Sequence, residues 1–381
     1  MRGSMMLSSR QRRAIRVALV STVCLGAPIS GAAQTHPDQA APPASEYPSL
    51  RLTGFGNIDF AAQNKSEGPR GFNEGQFVLH LASALSPRVN FFGELSFTPR
   101  TDAGAGTPAA TGFNAEVERA IIRFDHSDLL KVSFGRYHTP VNWWNTAFHH
   151  GAWLQTTISR PEMTQFGGRF IPVHFVGALV EGGVPAGGLN LNYQAGIGNG
   201  RGNVISRGGD AGDNNARPAY VFNAFAKPDQ AFGLQVGGSF YLDRISQPGL
   251  QDVDERIVAG HAVWQREDPE VIAEIADVRH EPVGGSLTSS NLAYYVQLAY
   301  RLPSAARLWK PYYRFEHIDI DVTDPVFTLA SNAVANLDGS TLGVRFDMST
   351  YAAIKSEVRS RRRVAGQPRA NGWFLQICFT F

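Results

Sequence analysis

The stretch GWFLQICFTF, Gly372 to Phe381, is where the reading of this sequence turns. Trp373, Leu375, Ile377, Phe379 and Phe381 recur at every second position, with Gln376 and Thr380 between them. A period of two puts alternate side chains on opposite faces of an extended strand. One face is therefore apolar along its whole length. A water-soluble sheet alternates too, so the preceding segments must decide what this face meets.

Working back from it, the same period runs through the chain in segments of about ten residues bounded by Pro, Gly, Asp and Ser. In LRLTGFGNIDF, Leu50, Leu52, Ile58 and Phe60 share a face opposite Arg51, Thr53, Asn57 and Asp59. Phe77, Leu79, Leu81 and Leu85 lead into the turn Ser86-Pro87-Arg88, and Val89, Phe91, Leu95 and Phe97 resume the face. Asn90, Glu94, Ser96 and Thr98 oppose them. Segments begin near 50, 75, 89, 114, 130, 170, 188, 218, 232, 254, 270, 290, 308, 339, 351 and 372. Their connections alternate short (86–88, 125–129, 183–187, 228–231, 266–269, 303–307, 348–350) and long (99–113, 139–169, 199–217, 320–338). A sandwich has no reason to keep every second connection short. An outer-membrane barrel has one: tight periplasmic turns, longer external loops and both termini on the periplasmic side. The expected fold is all-β, a transmembrane antiparallel barrel of about 16 strands, with 14 or 18 as neighbouring counts. Tyr294, Tyr300, Trp309, Tyr312, Tyr313, Tyr351 and Trp373 lie near strand ends and suit the two aromatic girdles of such a barrel.

The N-terminus sets the compartment. Arg2, Arg10, Arg12, Arg13 and Arg16 precede the apolar run from Val17 to Ile29, and the small residues Ser30-Gly31-Ala32-Ala33 follow. That order predicts a signal peptide over 1–33, cut after Ala33. The apolar run is too short for a spanning helix. Residues 34–48 read as a Pro/Ala linker, and 49–381 as a single barrel domain of even composition. Of 35 basic side chains, removing the five signal arginines leaves 30 against 33 acidic ones, so no nucleic-acid surface is indicated. Cys24 departs with the signal and leaves Cys378 alone, which excludes an internal disulfide.

Several segments resemble a known family. KVSFGRYHTPV (Lys131–Val141), AEIADVRHE (Ala273–Glu281), KPYYRFEHID (Lys310–Asp319) and AIKSEVR (Ala353–Arg359), together with the last strand, are similar to the phosphate-selective porin O and P family of sixteen-stranded barrels. The last strand also resembles the assembly signal read by the barrel-assembly machinery, carried here by Trp373, Leu375, Ile377, Phe379 and Phe381. The resemblance implies a homotrimeric channel in outer-membrane lipid and lipopolysaccharide, narrowed by a third external loop folded inward. Here that loop is Thr139–Arg169, the longest connection. Family members with phosphate preference cluster cations at the constriction. This loop has only Arg160 and Arg169 beside Glu162, with Trp143, Trp144, Trp153, His149 and His150.

By alternation, Arg123, Lys131, Lys310, Arg314, Arg345, Lys355 and Arg359 point into the lumen, as do Glu94, Glu274, Glu316 and Glu357. With Arg160 and Arg169 on the loop, these cations are the candidate contacts for passing anions. The same residues also suit a ring of lumen salt bridges that stiffens the wall. Arg359, Arg361, Arg362 and Arg363 are placed in the last external loop, where they suit lipopolysaccharide phosphates or plain solvation. His138, His149 and His150 show no metal-ligand spacing of known type, so no metal is expected. GIGNGRG (Gly196–Gly202) lacks the strand-then-helix context of a dinucleotide loop, and no nucleophile elbow or P-loop lysine occurs. The expectation is therefore a porin without cofactor or enzymatic activity. It passes small hydrophilic solutes, with a weak preference for anions. A channel specific for sugars or carboxylates, using the tryptophans of the loop, is the alternative; a barrel enzyme is a third reading.

Overall fold

The computed structural model describes residues 47–64, 68, 70–100, 112–148, 150–166, 169–206, 208–246 and 249–381. The expected signal peptide, the linker up to residue 46, Cys24 and His149 lie outside these residues. Alternation becomes strands where it was expected: β1 (Arg51–Gln63), β2 (Gly71–Asn73), β3 (Phe77–Ala84), β4 (Val89–Pro99), β5 (Phe113–Ser127), β6 (Leu130–His138), β7 (His174–Val184), β8 (Leu191–Asn199), β9 (Ala219–Ala226), β10 (Leu234–Ile245), β11 (Val253–Gln265), β12 (Glu270–Pro282), β13 (Ser289–Ala299), β14 (Trp309–Asp319), β15 (Leu337–Asp347), β16 (Ala352–Arg362) and β17 (Ala370–Thr380). Among the described residues no helix is long and apolar enough to cross a membrane.

Each strand pairs antiparallel with its neighbours, and β17 returns to β1 from Phe55↔Thr380 to Gln63↔Gly372. The sheet therefore has no free edge, as a wall in lipid requires. On its other side β1 meets β3 through Arg51–Gly56 and β2 through Asp59–Ala61. β2 and β3 are thus one wall strand interrupted at 74–76, and the barrel has sixteen wall strands. Connections at the end that carries Arg51 and Thr380 are tight, such as 128–129 and 266–269; the opposite end carries 100–112, 139–173, 200–218 and 320–336. β7, the sixth wall strand, starts at His174, four residues later than the alternation suggested, because 170–173 complete the inward loop.

The outer face is apolar and exposed: Leu52, Ile122, Phe134, Phe222, Val258, Leu342 and Trp373 all face away from the protein. An exposed apolar surface of that extent is rare on a water-soluble monomer and suits a surround of lipid. The inner face departs from expectation. A porin lumen is polar, yet Ile257, Val263, Ile272, Ala276 and Val278 on β11 and β12 are buried inside the barrel. They share a packed cluster with Val141, Trp143, Trp144, Met163, Phe170 and Ile171 of the long loop. Strands that carry the loop are apolar on both faces because the loop takes the place of water. Tyr312, expected in a girdle, is a second correction: it is 2% exposed and donates to Glu357 Oε2 at 3.0 Å. Its place between Lys310 and Arg314 puts it on the inward face.

Candidate functional site

The candidate site is the lumen at the level of the connection 139–173, which carries the short helix α1 (Trp144–Ala147). The loop forms little regular structure of its own, so its backbone polar groups need partners once it leaves water. The wall supplies them. The Trp143 and Trp144 N–H groups both donate to Glu274 Oε1, at 2.6 and 2.7 Å. Asn142 N–H donates to Ser239 Oγ at 3.0 Å. Further along, the Ile158 and Ser159 N–H groups donate to Glu357 Oε2 at 3.0 and 3.3 Å, and Glu162 N–H to Glu316 Oε2 at 2.7 Å. Carboxylates on three different strands thus hold successive turns of the loop.

The cations hold its carbonyls. Arg314, 0% exposed, donates to Ser159 O at 2.9 Å and Arg160 O at 3.0 Å. Lys355, also 0% exposed, donates to Ala152 O and, at 3.1 Å, to Thr157 O. Arg345 donates to Trp153 O and Gln155 O at 2.8 and 3.0 Å and lies 4.6 Å over the Trp153 ring. Lys310 is buried against Glu270 at 2.8 Å, and Glu270 accepts from Thr156 Oγ1. These four residues point inward as alternation required. The loop and the carboxylates around it take most of their donors, although Arg314 Nε is left without a hydrogen-bond partner.

The other candidates divide differently. Arg160 is buried in the loop, donates to Thr164 O at 2.9 Å and sits over Phe166; burial pulls its guanidinium down to about 9, so it stays charged at neutral pH. Arg169 is exposed and reaches Ala333 O. Arg123 pairs with Asp125 at 2.6 Å and with Glu181 at 3.3 Å. Arg359 pairs with Glu357 and lies 3.7 Å over Phe374. Lys131 is half-buried, opposite Glu181 across the β6–β7 ladder. Arg359, Arg361 and Arg362 belong to β16 and not to the last loop; Arg361 and Arg363 both reach Glu162, and Arg362 pairs with Asp338. With the cations of the opposite wall tied to the loop, Asp59, Asp125, Lys131, Glu181, Gln194 and Arg359 remain as partly accessible groups of both signs along β1, β5 to β8 and β16.

Two further loop contacts escaped the sequence reading. Arg201, in the glycine string after β8, is buried; it donates to Arg169 O and Phe170 O and pairs with Glu255 at 3.0 Å. Asp324 in the connection 320–336 accepts from Ser289 Oγ at 2.6 Å and contacts His280 Nδ1 at 2.7 Å. Burial pushes its carboxyl up, but the bonds from His280, Ser289 and the Phe327 N–H more than offset this and hold it well below the usual range. Nothing in the sequence pairs Arg201 with Phe170 or Asp324 with His280, since the first meeting depends on how two loops fold together and the second on how a loop returns onto β12. Ser289 binds the carboxylate and not the imidazole, so this trio does not have the nucleophile-to-base order of a hydrolase. Trp143 and Trp144 are packed in the apolar cluster, so they form no open slide for sugars. His138 and His150 do come together, with His174, Glu94 and Glu118.

No protein-family model matches the chain, and no curated protein matches it in sequence. Its fold is found among solved outer-membrane proteins. An anion-selective porin from Comamonas acidovorans superposes with a TM-score of 0.61 at 12% identity, over 88% of this chain and 100% of that one. The trimer form of OmpT, an outer membrane protein of Vibrio cholerae, gives 0.58 at 12% identity, again over 88% and 100%. The outer membrane channel DcaP of Acinetobacter baumannii gives 0.56 at 11% identity, over 88% and 97%. The chain is a closed porin-type barrel.

Proposed function

We propose that this chain is an outer-membrane porin, exported by the signal peptide 1–33, through which small hydrophilic solutes and ions diffuse passively. The observation that carries this reading is the third external connection, 139–173, folded inside a closed barrel and fixed there by wall carboxylates and cations. A connection held in this way narrows the pore. The accessible groups left along the wall are polar and of both signs. The likeness to outer-membrane channels supports the same reading, and the trimer form of one of them supports a homotrimer here.

Selectivity follows from what stays accessible. Arg314, Arg345, Lys310 and Lys355 are each beside carbonyls or carboxylates, so they add little net field in the open lumen. Lys131, Arg359, Arg361 and Arg363 oppose Asp59, Asp125, Glu162 and Glu181. The proposed preference is for anions but weak, and its direction rests on Arg361 and Arg363, which share the one carboxylate of Glu162. Charges more than about 8 Å from the ion are largely screened at physiological salt. The test is planar-bilayer conductance with reversal potentials in a salt gradient. A weakly anion-selective wild type that moves towards cations in Lys131→Gln/Arg361→Gln is expected. A cation-selective wild type would remove the anion preference and leave the channel. A detergent-purified barrel that conducts no ions would end the porin reading.

A further inference from the structure

Opposite the latches of Lys355 and Arg314, the loop meets the wall through histidines. His138 is the last residue of β6, His174 the first of β7, and the two are paired across the ladder. His150 comes from the inward loop. Glu94 lies on β4, and Glu118 on β5 is the extra residue of a bulge: Glu94 pairs with Arg119, whereas Leu95 pairs with Val117. A bulge re-aims a side chain and recurs beside functional sites. Here it brings Glu118 to the same place as Glu94. One ligand atom each from Glu94, His138 and His150 lie within 4.8 Å of one another, and so do one each from Glu118, His138 and His174. Glu94, Glu118, His138 and His150 are all buried.

We propose that Glu94, His138 and His150 hold one divalent transition-metal ion of the Zn2+ class, which ties the inward loop to the barrel wall. Imidazole nitrogen with carboxylate oxygen is the donor set such ions take, and three protein ligands leave room for a fourth. Of the two triads, this one spans loop and wall, and its geometry favours a metal. His150 Nδ1 is 3.3 Å from Gln76 Oε1, so in the neutral ring the N–H is placed there and Nε2 presents its lone pair. A ligating histidine is commonly fixed by such an outer partner. That Nε2 stands 3.1 Å from Glu118 Oε1, which makes Glu118 the nearest fourth ligand. A positive charge is needed between groups so close, and a metal ion supplies it as a proton on Nε2 would. His174 is disposed otherwise. Arg136 Nη2 donates to its Nδ1 at 2.9 Å, so its Nε2 carries the proton and donates to Glu118 Oε2 at 2.8 Å. The facing charges are Arg119, paired with Glu94, and Arg160 in the loop, so the ion displaces Arg119 from one carboxylate oxygen while His80 stays on the other at 3.1 Å.

The test uses the detergent-purified full-length barrel, stripped with EDTA, dialysed against Zn2+ and assayed for bound metal, with Co2+ as a spectroscopic probe. One Zn2+ per chain is expected, and Co2+ should show the visible bands of a nitrogen- and oxygen-ligated site. His138→Ala and His150→Ala should each weaken binding beyond about 100-fold, and Gln76→Leu by about 10-fold through the freed His150 ring. His317→Ala, on the far side of the barrel, should leave it unchanged. Unboiled gel mobility reports whether each variant has closed. If a variant fails to close, the wild-type isotherm and Co2+ spectrum decide alone. Wild-type protein that binds no stoichiometric Zn2+, or folded His138→Ala and His150→Ala proteins that bind it as wild type does, would overturn the site.

Discussion

At Gly54 and Gly56 the barrel seam depends on the absence of side chains. Both lie on the outward face of β1, and a Cβ on either would strike the ring of Phe381 or Phe379 respectively. The aromatic rings cover the glycines and shield the backbone bonds that Gly54 exchanges with Phe381. Phe381 also stacks on Phe77 at 5.9 Å. Aromatic cover of a glycine is a known way to fix a strand register. Phe381→Asp and Gly54→Val should both lower the fraction of chain that reaches the outer membrane in a form whose gel mobility changes on boiling. Normal levels of both variants would show that the seam closes without this contact. A second residue, Glu274, serves two buried N–H groups at once. Glu274→Leu leaves the Trp143 and Trp144 amides unpaired, at a cost of about 1–3 kcal/mol each. Limited proteolysis should then cut near residues 142–148 in the variant and not in wild type; equal resistance would deny Glu274 this role.

The element that narrows the barrel interior is the connection 139–173, and it is held as an element, from several strands at once. Removing a latch should act on pore size before it acts on charge. Lys355→Met and Arg314→Met each strand buried loop carbonyls, and Arg314→Met also leaves Glu316 short of a partner; loss of one partner of a buried charge costs about 3–5 kcal/mol. Single-channel conductance should rise and become noisier in both, with little change in reversal potential. A pure selectivity shift at constant conductance would mean that the cations face the ion path. The connection 320–336 is held through Asp324. Its carboxyl is depressed in the folded chain, so its contribution is fully present above the unfolded value of about 3.9 and is lost as pH falls through the lower folded value. At pH 4 the connection should therefore remain docked in wild type, and Asp324→Asn should release it at every pH. Hydrogen exchange of the Val326 and Phe327 amides, which donate to Asp324 Oδ1, reads this directly.

For the whole molecule, closure is the condition on which everything else rests. The pairing of β1 with β17 removes the last free edge, and a sheet without edges resists detergent. The unboiled protein should migrate anomalously in a denaturing gel and shift on heating; a soluble periplasmic chain whose mobility is indifferent to boiling would refute the membrane barrel. The molecule is also divided across its width. Along β10 to β14 the lumen is packed by the loop and by Ile320, Val326 and Phe327, while polar groups remain accessible on the facing wall. The barrel interior is thus narrower than sixteen strands alone would give, and on the porin reading proposed above this relates size selection to the loop more than to the sheet.

The fold was legible in the sequence because a strand's period is local. Trp373 to Phe381 alternates outward and Gln376 inward in the structure as in the string of residues, and the short-and-long rhythm of the connections gave the strand number. The inward direction of Arg314, Lys355 and Glu357 was legible for the same reason. Their partners were not. Whether Lys355 faces water or the carbonyl of Ala152 depends on where a 35-residue connection lies, and a loop carries no period from which its path can be read. Tyr312 was assigned to the girdle by residue type, although its own register placed it inside. Arg201 and the meeting of His138 with His150, Glu94 and Glu118 belong wholly to the tertiary level: a bulge at Glu118, the pairing of β6 with β7 and the return of the loop bring together groups up to 56 positions apart. Alternation decides which way a side chain points; only the folded loop decides what it finds there, because the lumen that alternation assigns to water is taken on one side by the chain itself.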